Sequence, residues 1–355
     1  MLRLRRVLIP TVATSHRRFI LPGSMATAPS LADIAARCKV SKGTVSKVLA
    51  RQSDRYRIGE ETRARVLEAA RDLGFEMDWK RRMAASRRTR TIALLFHRVP
   101  FTLGSWSELP ALLADALQVY GYRLAHSPLT EGLAGWARGQ FHHACDGVIL
   151  VDPLPADLHL LPSLGLPAIA VNEQTDLPIL HVTPDEVQGM ALAMSHLHDL
   201  GHRQVVFHRL PFNNRHPSAR ARELAAHAAA EALAMTCESW ISVDPHEVVR
   251  RLQAGHPSTA LLCYCHVDAL LVLSACSAAG VAIPGRISVL TVDRTFYTDV
   301  AYPPLATLVV PTTAICVTAA QALVDLIEGR TQPLRQQVVL PYDLVTNPSC
   351  GSVPH

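Results

Sequence analysis

The sequence has no apolar run approaching the roughly 20 residues that a membrane-spanning helix needs; its longest apolar runs are strand-sized, which excludes a helical membrane protein. It has no Cys-x-x-Cys pair. Its eight cysteines (Cys38, Cys145, Cys237, Cys263, Cys265, Cys276, Cys316 and Cys350) are scattered, which argues against a disulfide framework and for reduced thiols in the cytoplasm. Also missing are a glycine-rich phosphate loop, a Gly-x-Ser-x-Gly elbow and a His-Glu-x-x-His helix, so no enzyme and no cofactor is expected. Charged residues make up only 18% against 49% apolar, the balance of a globular chain long enough for two or three domains.

Charge is unevenly placed. Residues 1–90 hold 21 Lys and Arg against 8 Asp and Glu, and the remainder hold 14 against 22. The overall +5 is therefore a basic quarter of +13 on a body of −8, the distribution expected of a nucleic-acid-binding head on a regulatory domain. Residues 1–24 are Arg-rich without acid, but Pro10, Thr11 and Thr14 interrupt a short apolar stretch, so a secretory signal is excluded. Met25 sits just ahead of the first helical pattern, and 1–24 reads as a disordered or mis-assigned extension.

Residues 25–73 read as three helices. Leu31, Ile34 and Ala35 form one apolar face, Ser30 stands at the N-cap, and Asp33 can complete a capping box. After a break at Cys38-Lys39-Val40, Ser41 caps a second helix, Lys42–Leu49, with Val45, Val48 and Leu49 inward. Its outward face carries Lys42, Gly43, Thr44, Ser46 and Lys47, small, hydroxyl and lysine residues suited to a major groove. A third helix, Glu60–Leu73, repeats the periodicity through Val66, Leu67 and Ala70, with Gly59 as N-cap.

These residues resemble the headpiece of the lactose-repressor (LacI) family. The likeness rests on Asp33-Ile34-Ala35, Val40-Ser41, Thr44-Val45-Ser46-Lys47-Val48-Leu49, Glu60-Glu61-Thr62-Arg63-x-Arg65-Val66-Leu67 and Leu73-Gly74-Phe75. The resemblance implies base reading at Lys42, Gly43 and Lys47, supported by Ser41, Thr44 and Ser46. Gly43 brings no side chain, so base choice falls on the lysines. Lys39 replaces the family's turn glycine, so either it accepts a positive φ or the turn differs.

Residues 74–90 stand where the family has a hinge. By spacing, Met77 replaces a proline, Asp78 an asparagine and Ala84 the leucine that wedges into the minor groove. Alanine is too short for that wedge. Either Met83 substitutes, or the segment relies on charge from Lys80, Arg81, Arg82, Arg87, Arg88 and Arg90, with marked salt dependence. A merely solvated basic linker is the plain alternative.

From residue 91 to 346 strand and helix alternate. Strands are expected at Thr91–Phe96, Tyr122–Ala125, Gly147–Val151, Ala168–Val171, Gln204–Phe207, Ala260–Tyr264 and Ser288–Val292, with a helix over Leu109–Tyr120. Such alternation predicts an α/β fold of doubly wound parallel sheets with helices on both faces, here in two lobes. This part also resembles the LacI family and periplasmic sugar-binding proteins, through Asp146-Gly147-Val148-Ile149, Gly165-Leu166-Pro167, Leu200-Gly201-His202-Arg203, Ile283-Pro284, Ile287-Ser288-Val289 with Asp293, and Thr307 with Pro311. By resemblance lobe 1 takes about 91–183 and 309–340, lobe 2 about 184–308 and 341–346, and 347–355 is a tail.

The resemblance carries over Arg222 as a grip on ligand hydroxyls or a carboxylate, and Asp293 as a strand-end acceptor. Cys265-His266 replaces the family's usual Asn-Asp pair, which weakens the inference of a sugar. Asn172, His97 and Trp106 are further pocket candidates. Cys263-x-Cys265-His266 and the pair His198 and His202 have metal-like spacing, but no further ligand is supplied nearby, so no metal is expected. The expectation is a dimeric regulator, most simply a repressor, on a pseudo-palindromic operator, responding to a small molecule such as a sugar or sugar derivative. Two alternatives are a DNA-binding regulator with a degenerate pocket, and a solute-binding protein without DNA function.

Overall fold

The computed structural model describes residues 30–49, 56–73, 88–97, 105–139, 141–173, 177, 179–211, 217–242, 244–330 and 337–353. The chain divides into two compact units, 1–87 and 88–355. The extension 1–24 lies outside the described residues.

The first unit holds α1 (Leu31–Cys38), α2 (Lys42–Leu49) and α3 (Glu60–Asp72). The capping box closes α1: the Ser30 amide donates to Asp33 Oδ2 at 2.7 Å, and Ser30 Oγ accepts from the Ala32 amide at 3.2 Å. Ile34, Ala35, Cys38, Val45, Val48, Val66, Ala69 and Ala70 form the core. Leu67, expected on the inner face of α3, is 37% exposed, and Ala69 takes the inner position instead. Arg37 on α1 pairs with Asp72 on α3 at 2.6 Å.

The second unit has two six-stranded sheets. The first, ordered β11-β5-β4-β3-β1-β2, is built from β1 (Thr91–His97), β2 (Arg123–Leu129), β3 (Gly147–Val151), β4 (Ala168–Val171), β5 (Leu180–Pro184) and β11 (Gln337–Leu340). The second, ordered β12-β10-β9-β8-β6-β7, is built from β6 (Gln204–Arg209), β7 (Thr236–Ile241), β8 (Ala260–Cys263), β9 (Ser288–Val292), β10 (Ala306–Val309) and β12 (Asp343–Val345). All pairings are parallel except β10 with β12. The helices are α4 (Leu109–Gln118), α5 (Gly132–Arg138), α6 (Pro155–Leu160), α7 (Glu186–Asp199), α8 (Pro217–Ala232), α9 (Pro245–Gln253), α10 (His266–Ala278), α11 (Phe296–Val300) and α12 (Thr312–Ile327).

Strand residues alternate between faces, and the cores follow that alternation. Ile92, Leu94, Ile149 and Val151 join one cluster, and Ala93, Leu95, Val148 and Leu150 join another. In the second sheet Val205, Phe207, Leu262 and Leu290 face one way, and Val206, Leu261 and Val289 the other. The chain passes between the sheets after β5, after β10 and between β11 and β12. After the second passage α12 packs on α4 and on β3, β4 and β5.

Two expectations change. Arg88 and Arg90, counted above among charges available to DNA, are engaged within the second unit. Arg88 donates to the Ile327 carbonyl at 2.9 Å and to the Tyr122 hydroxyl at 3.4 Å. Arg90 pairs with Glu328 at 3.8 Å and stacks 4.9 Å from the Tyr122 ring. Asp146 fixes the start of β1 by accepting from the Thr89 amide and hydroxyl and the Arg90 amide, at 2.7 to 2.8 Å. Nor is the C-terminal segment a free tail over its described length. Ser349 is fully buried: its hydroxyl donates to the Val289 carbonyl at 2.6 Å and accepts the Ala306 amide at 2.7 Å. His202 lies within 2.8 Å of Thr259 Oγ1 and 3.1 Å of both Ser288 Oγ and the Gly351 carbonyl. It ties strand starts to this segment.

Candidate functional site

In the first unit the loop from α1 to α2 is tight because Lys39 takes φ 52° and ψ 44°, so the positive-φ alternative holds. Ser41 Oγ accepts the Thr44 amide at 3.0 Å and stabilises the start of α2. Burial of Val45 and Val48 leaves Ser41, Lys42, Gly43 and Ser46 exposed and Thr44 half-buried. The Lys47 ammonium lies 4.0 Å from the centroid of Tyr56, which restrains it beside the same face. A cationic, hydroxylated surface on a capped helix can donate to phosphates and to guanine acceptors. Lys80, Arg81, Arg82 and Met83, with Ala84, lie outside the described residues.

In the second unit a buried polar group gathers at the carboxyl edge of the second sheet. In each sheet the strand order reverses beside one strand, β1 in the first and β6 in the second, which is where doubly wound folds open a crevice. Arg209 ends β6, Tyr264 and Cys265 follow β8, and Asp293 follows β9 with φ 73°. Arg222, on α8, is 3% exposed. Its Nε donates to Glu186 Oε2 at 2.9 Å, Nη1 to the Tyr264 carbonyl at 2.9 Å, and Nη2 to the Tyr342 hydroxyl at 3.1 Å. Tyr342 in turn donates to Glu186 Oε2 at 3.0 Å, closing the ring of contacts. Burial opposes the Arg222 charge, but Glu186, Tyr342, Tyr264 and Asp293 outweigh it and hold the guanidinium cationic well above the usual range. Burial pushes the Tyr342, Tyr264 and Cys265 protons up, so all three stay neutral.

The sequence candidates therefore divide. Arg222, Cys265, His266 and Asp293 come to one edge, with His266 Nδ1 3.7 Å from Asp293 Oδ2. Asn172 lies past β4 on the first sheet, where its amide donates to Asp152 Oδ1 at 2.6 Å. His97 ends β1 and Trp106 lies in a short turn before α4; the side chains of both fall outside the description. Glu186, Tyr264 and Tyr342 were not anticipated. Glu186 reads in sequence as an ordinary acid in the first turn of a helix. Tyr342 sits between two short strands with nothing local to mark it. One signal was present: a Cβ on Gly189 would lie 2.5 Å from the Tyr342 ring, so that helical glycine makes room for the tyrosine.

Residues 30–78 match the model of "bacterial regulatory proteins, lacI family", and residues 194–350 match that of the periplasmic binding protein-like domain. The chain belongs to the LacI family of bacterial regulatory proteins. As a member it is a DNA-binding transcription regulator. This regulator is 28% identical over 353 residues to an HTH-type transcriptional regulator in the aml 5′ region of Streptomyces limosus, covering 92% of this chain and 96% of that protein. Its fold matches that of the lac repressor dimer solved with operator and the anti-inducer ONPF, with a TM-score of 0.72 at 22% identity over 90% and 98% of the two chains. It also matches the regulator CelR solved with cellobiose, with a TM-score of 0.65 at 22% identity over 91% and 100%.

Among the described residues no helix is long and apolar enough to cross a membrane, and no group of His, Cys, Asp and Glu is arranged to hold a metal.

Proposed function

We propose that this regulator is a cytoplasmic repressor that binds a pseudo-palindromic operator as a homodimer and changes its affinity when a small hydroxylated molecule, a sugar or sugar derivative, enters the second unit. The observation that carries the effector reading is the buried polar group at the carboxyl edge of the second sheet. Glu186 Oε1 and His266 Nδ1 are buried there without a hydrogen-bond partner, and such atoms are rare unless a bound molecule or water satisfies them. The cellobiose complex of CelR supports the sugar class. Lys42 and Lys47 are assigned to base edges, and Ser41, Thr44 and Ser46 to phosphates.

The test is fluorescence anisotropy on the protein's own upstream DNA at two salt concentrations, with a panel of neutral, amino and acidic sugars. Lys42→Ala and Lys47→Ala should each weaken specific binding by about 1–3 kcal/mol and relax base preference at one operator position. Binding that is equally tight to unrelated DNA would sink the operator reading.

A regulator with a ligand-independent pocket remains the second reading, because the chain itself already occupies the donor fork of Arg222. Specific DNA binding indifferent to every compound in the panel would favour it.

A further inference from the structure

We propose that Tyr56 is a positioning residue for base reading: its ring holds the Lys47 ammonium on the outward face of α2 and so sets base preference where Lys47 reads. The proposal rests on the assignment of Lys47 to a base edge, and it adds a residue that lies outside α2.

A lysine by itself reads bases poorly. Its charge rides on a flexible four-carbon stem, and fixing that stem on DNA costs rotamer entropy. A free ammonium also meets phosphates as readily as base edges, and phosphates carry no sequence. Lys47 is held. Its Nζ lies 4.0 Å from the centroid of the Tyr56 ring, and among the described residues that ring is the only partner of the ammonium.

The kind of partner matters. A carboxylate on Lys47 would neutralise its charge, and DNA would have to displace it. α2 carries no acidic residue, and Asp33, Glu60, Glu61 and Asp72 are taken up by Ser30, Arg63, Arg65 and Arg37. An aromatic face attracts an ammonium without neutralising it, and it leaves N–H groups free for an acceptor. Guanine O6 and N7 are the matching acceptors in a major groove. The turn before α3 keeps the ring in place. Arg57 bends the chain with φ 52°, and Ile58 beyond it packs on the core of the three-helix unit. Tyr56 itself is 45% exposed and takes no part in that core.

The test is a double-mutant cycle on the full-length protein, read by fluorescence anisotropy on its upstream DNA and on duplexes varied one base pair at a time. Tyr56→Leu should lower the ratio of operator affinity to unrelated-DNA affinity by about 2–5-fold, the worth of an exposed cation–π contact. It should relax preference at the base pair that Lys47→Ala relaxes, and not at the one that Lys42→Ala relaxes. Tyr56→Phe keeps the ring face and should keep the wild-type ratio. In the Lys47→Ala background, Tyr56→Leu should add nothing.

Additive effects of the two substitutions would mean that Tyr56 meets DNA on its own account, and they overturn the proposal. Equal loss of affinity for all DNA by Tyr56→Leu, in step with a lower melting temperature, would show a structural role alone and overturns it too. The outcome at Lys47 separates the two levels of the argument. If Lys47→Ala relaxes base preference and Tyr56→Leu does not, only the proposal falls. If Lys47→Ala leaves base preference intact, the base-edge assignment fails and takes the proposal with it.

Discussion

Lys39 holds a left-handed backbone at the C-terminus of α1 while its amide donates to the carbonyls of Ala35 and Ala36. A residue with a Cβ holds that conformation at a cost of about 1–2 kcal/mol, which glycine avoids while gaining freedom in the unfolded chain. The net effect of Lys39→Gly should be a stabilisation of the three-helix unit by about 0.5–1 kcal/mol. Amide exchange at the buried Ile34 and Val45 reads it directly, and faster exchange in the variant would contradict the strain argument. Arg222 makes the complementary point: the charge that defines a residue in sequence can be spent within the chain. Its role cannot be judged until its three acceptors are known.

α7 brings the constraints of an element together. Asp185 Oδ1 accepts the Gln188 amide at 3.0 Å and starts the helix immediately after the chain leaves the first sheet. Gln188 then binds both polar atoms of the Tyr342 backbone, accepting its amide at 2.9 Å and donating to its carbonyl at 3.2 Å. A glycine inside a helix is ordinarily improved by alanine, by roughly 1 kcal/mol. At Gly189 the sign should reverse. The methyl group would meet the Tyr342 ring at 2.5 Å, so Gly189→Ala should destabilise the second unit by about 1–3 kcal/mol through overpacking. Chemical denaturation measures the change, and a stabilised variant would show that Tyr342 is not held against α7. β12 is the other element whose character is decided by context. At three residues it is short, and it pairs antiparallel to β10 because the chain re-enters the second sheet directly from Tyr342.

Over the whole molecule, histidine burial makes stability depend on pH. His208 on β6 is fully buried, and burial pushes its pKa down to about 4; burial also lowers His202 and His196. With the folded pKa depressed, the unfolded chain takes up protons first as pH falls below its value near 6.5. Stability should therefore be level above about pH 6.5 and fall progressively toward pH 4, with His208 contributing on the order of 3 kcal/mol at most. Melting at pH 7.5, 6.0 and 5.0 should show the decline, and His208→Leu should lessen it at little cost at pH 7.5. If the variant and wild type decline in parallel, His208 is not the group responsible.

The two kinds of legibility have different physical origins. Helix caps, the inward face of α2 and the strand alternation of the two sheets depend on residues within a few positions of each other. Ser30 with Asp33, Val45 with Val48, and Ile92 with Leu94 can therefore be read directly from the amino-acid order. Leu67 marks the limit of that reading, because periodicity names a face but not the depth available beneath it. The fates of Arg88 and Arg90 were set by Tyr122, Ile327 and Glu328, far along the chain. The polar cluster joins Glu186, Arg222, Tyr264 and Tyr342, up to 156 positions apart. Resemblance to the family, not local pattern, named Arg222 as a functional arginine. Only the tertiary structure, by carrying the chain between the sheets, placed a carboxylate and a phenol on that guanidinium.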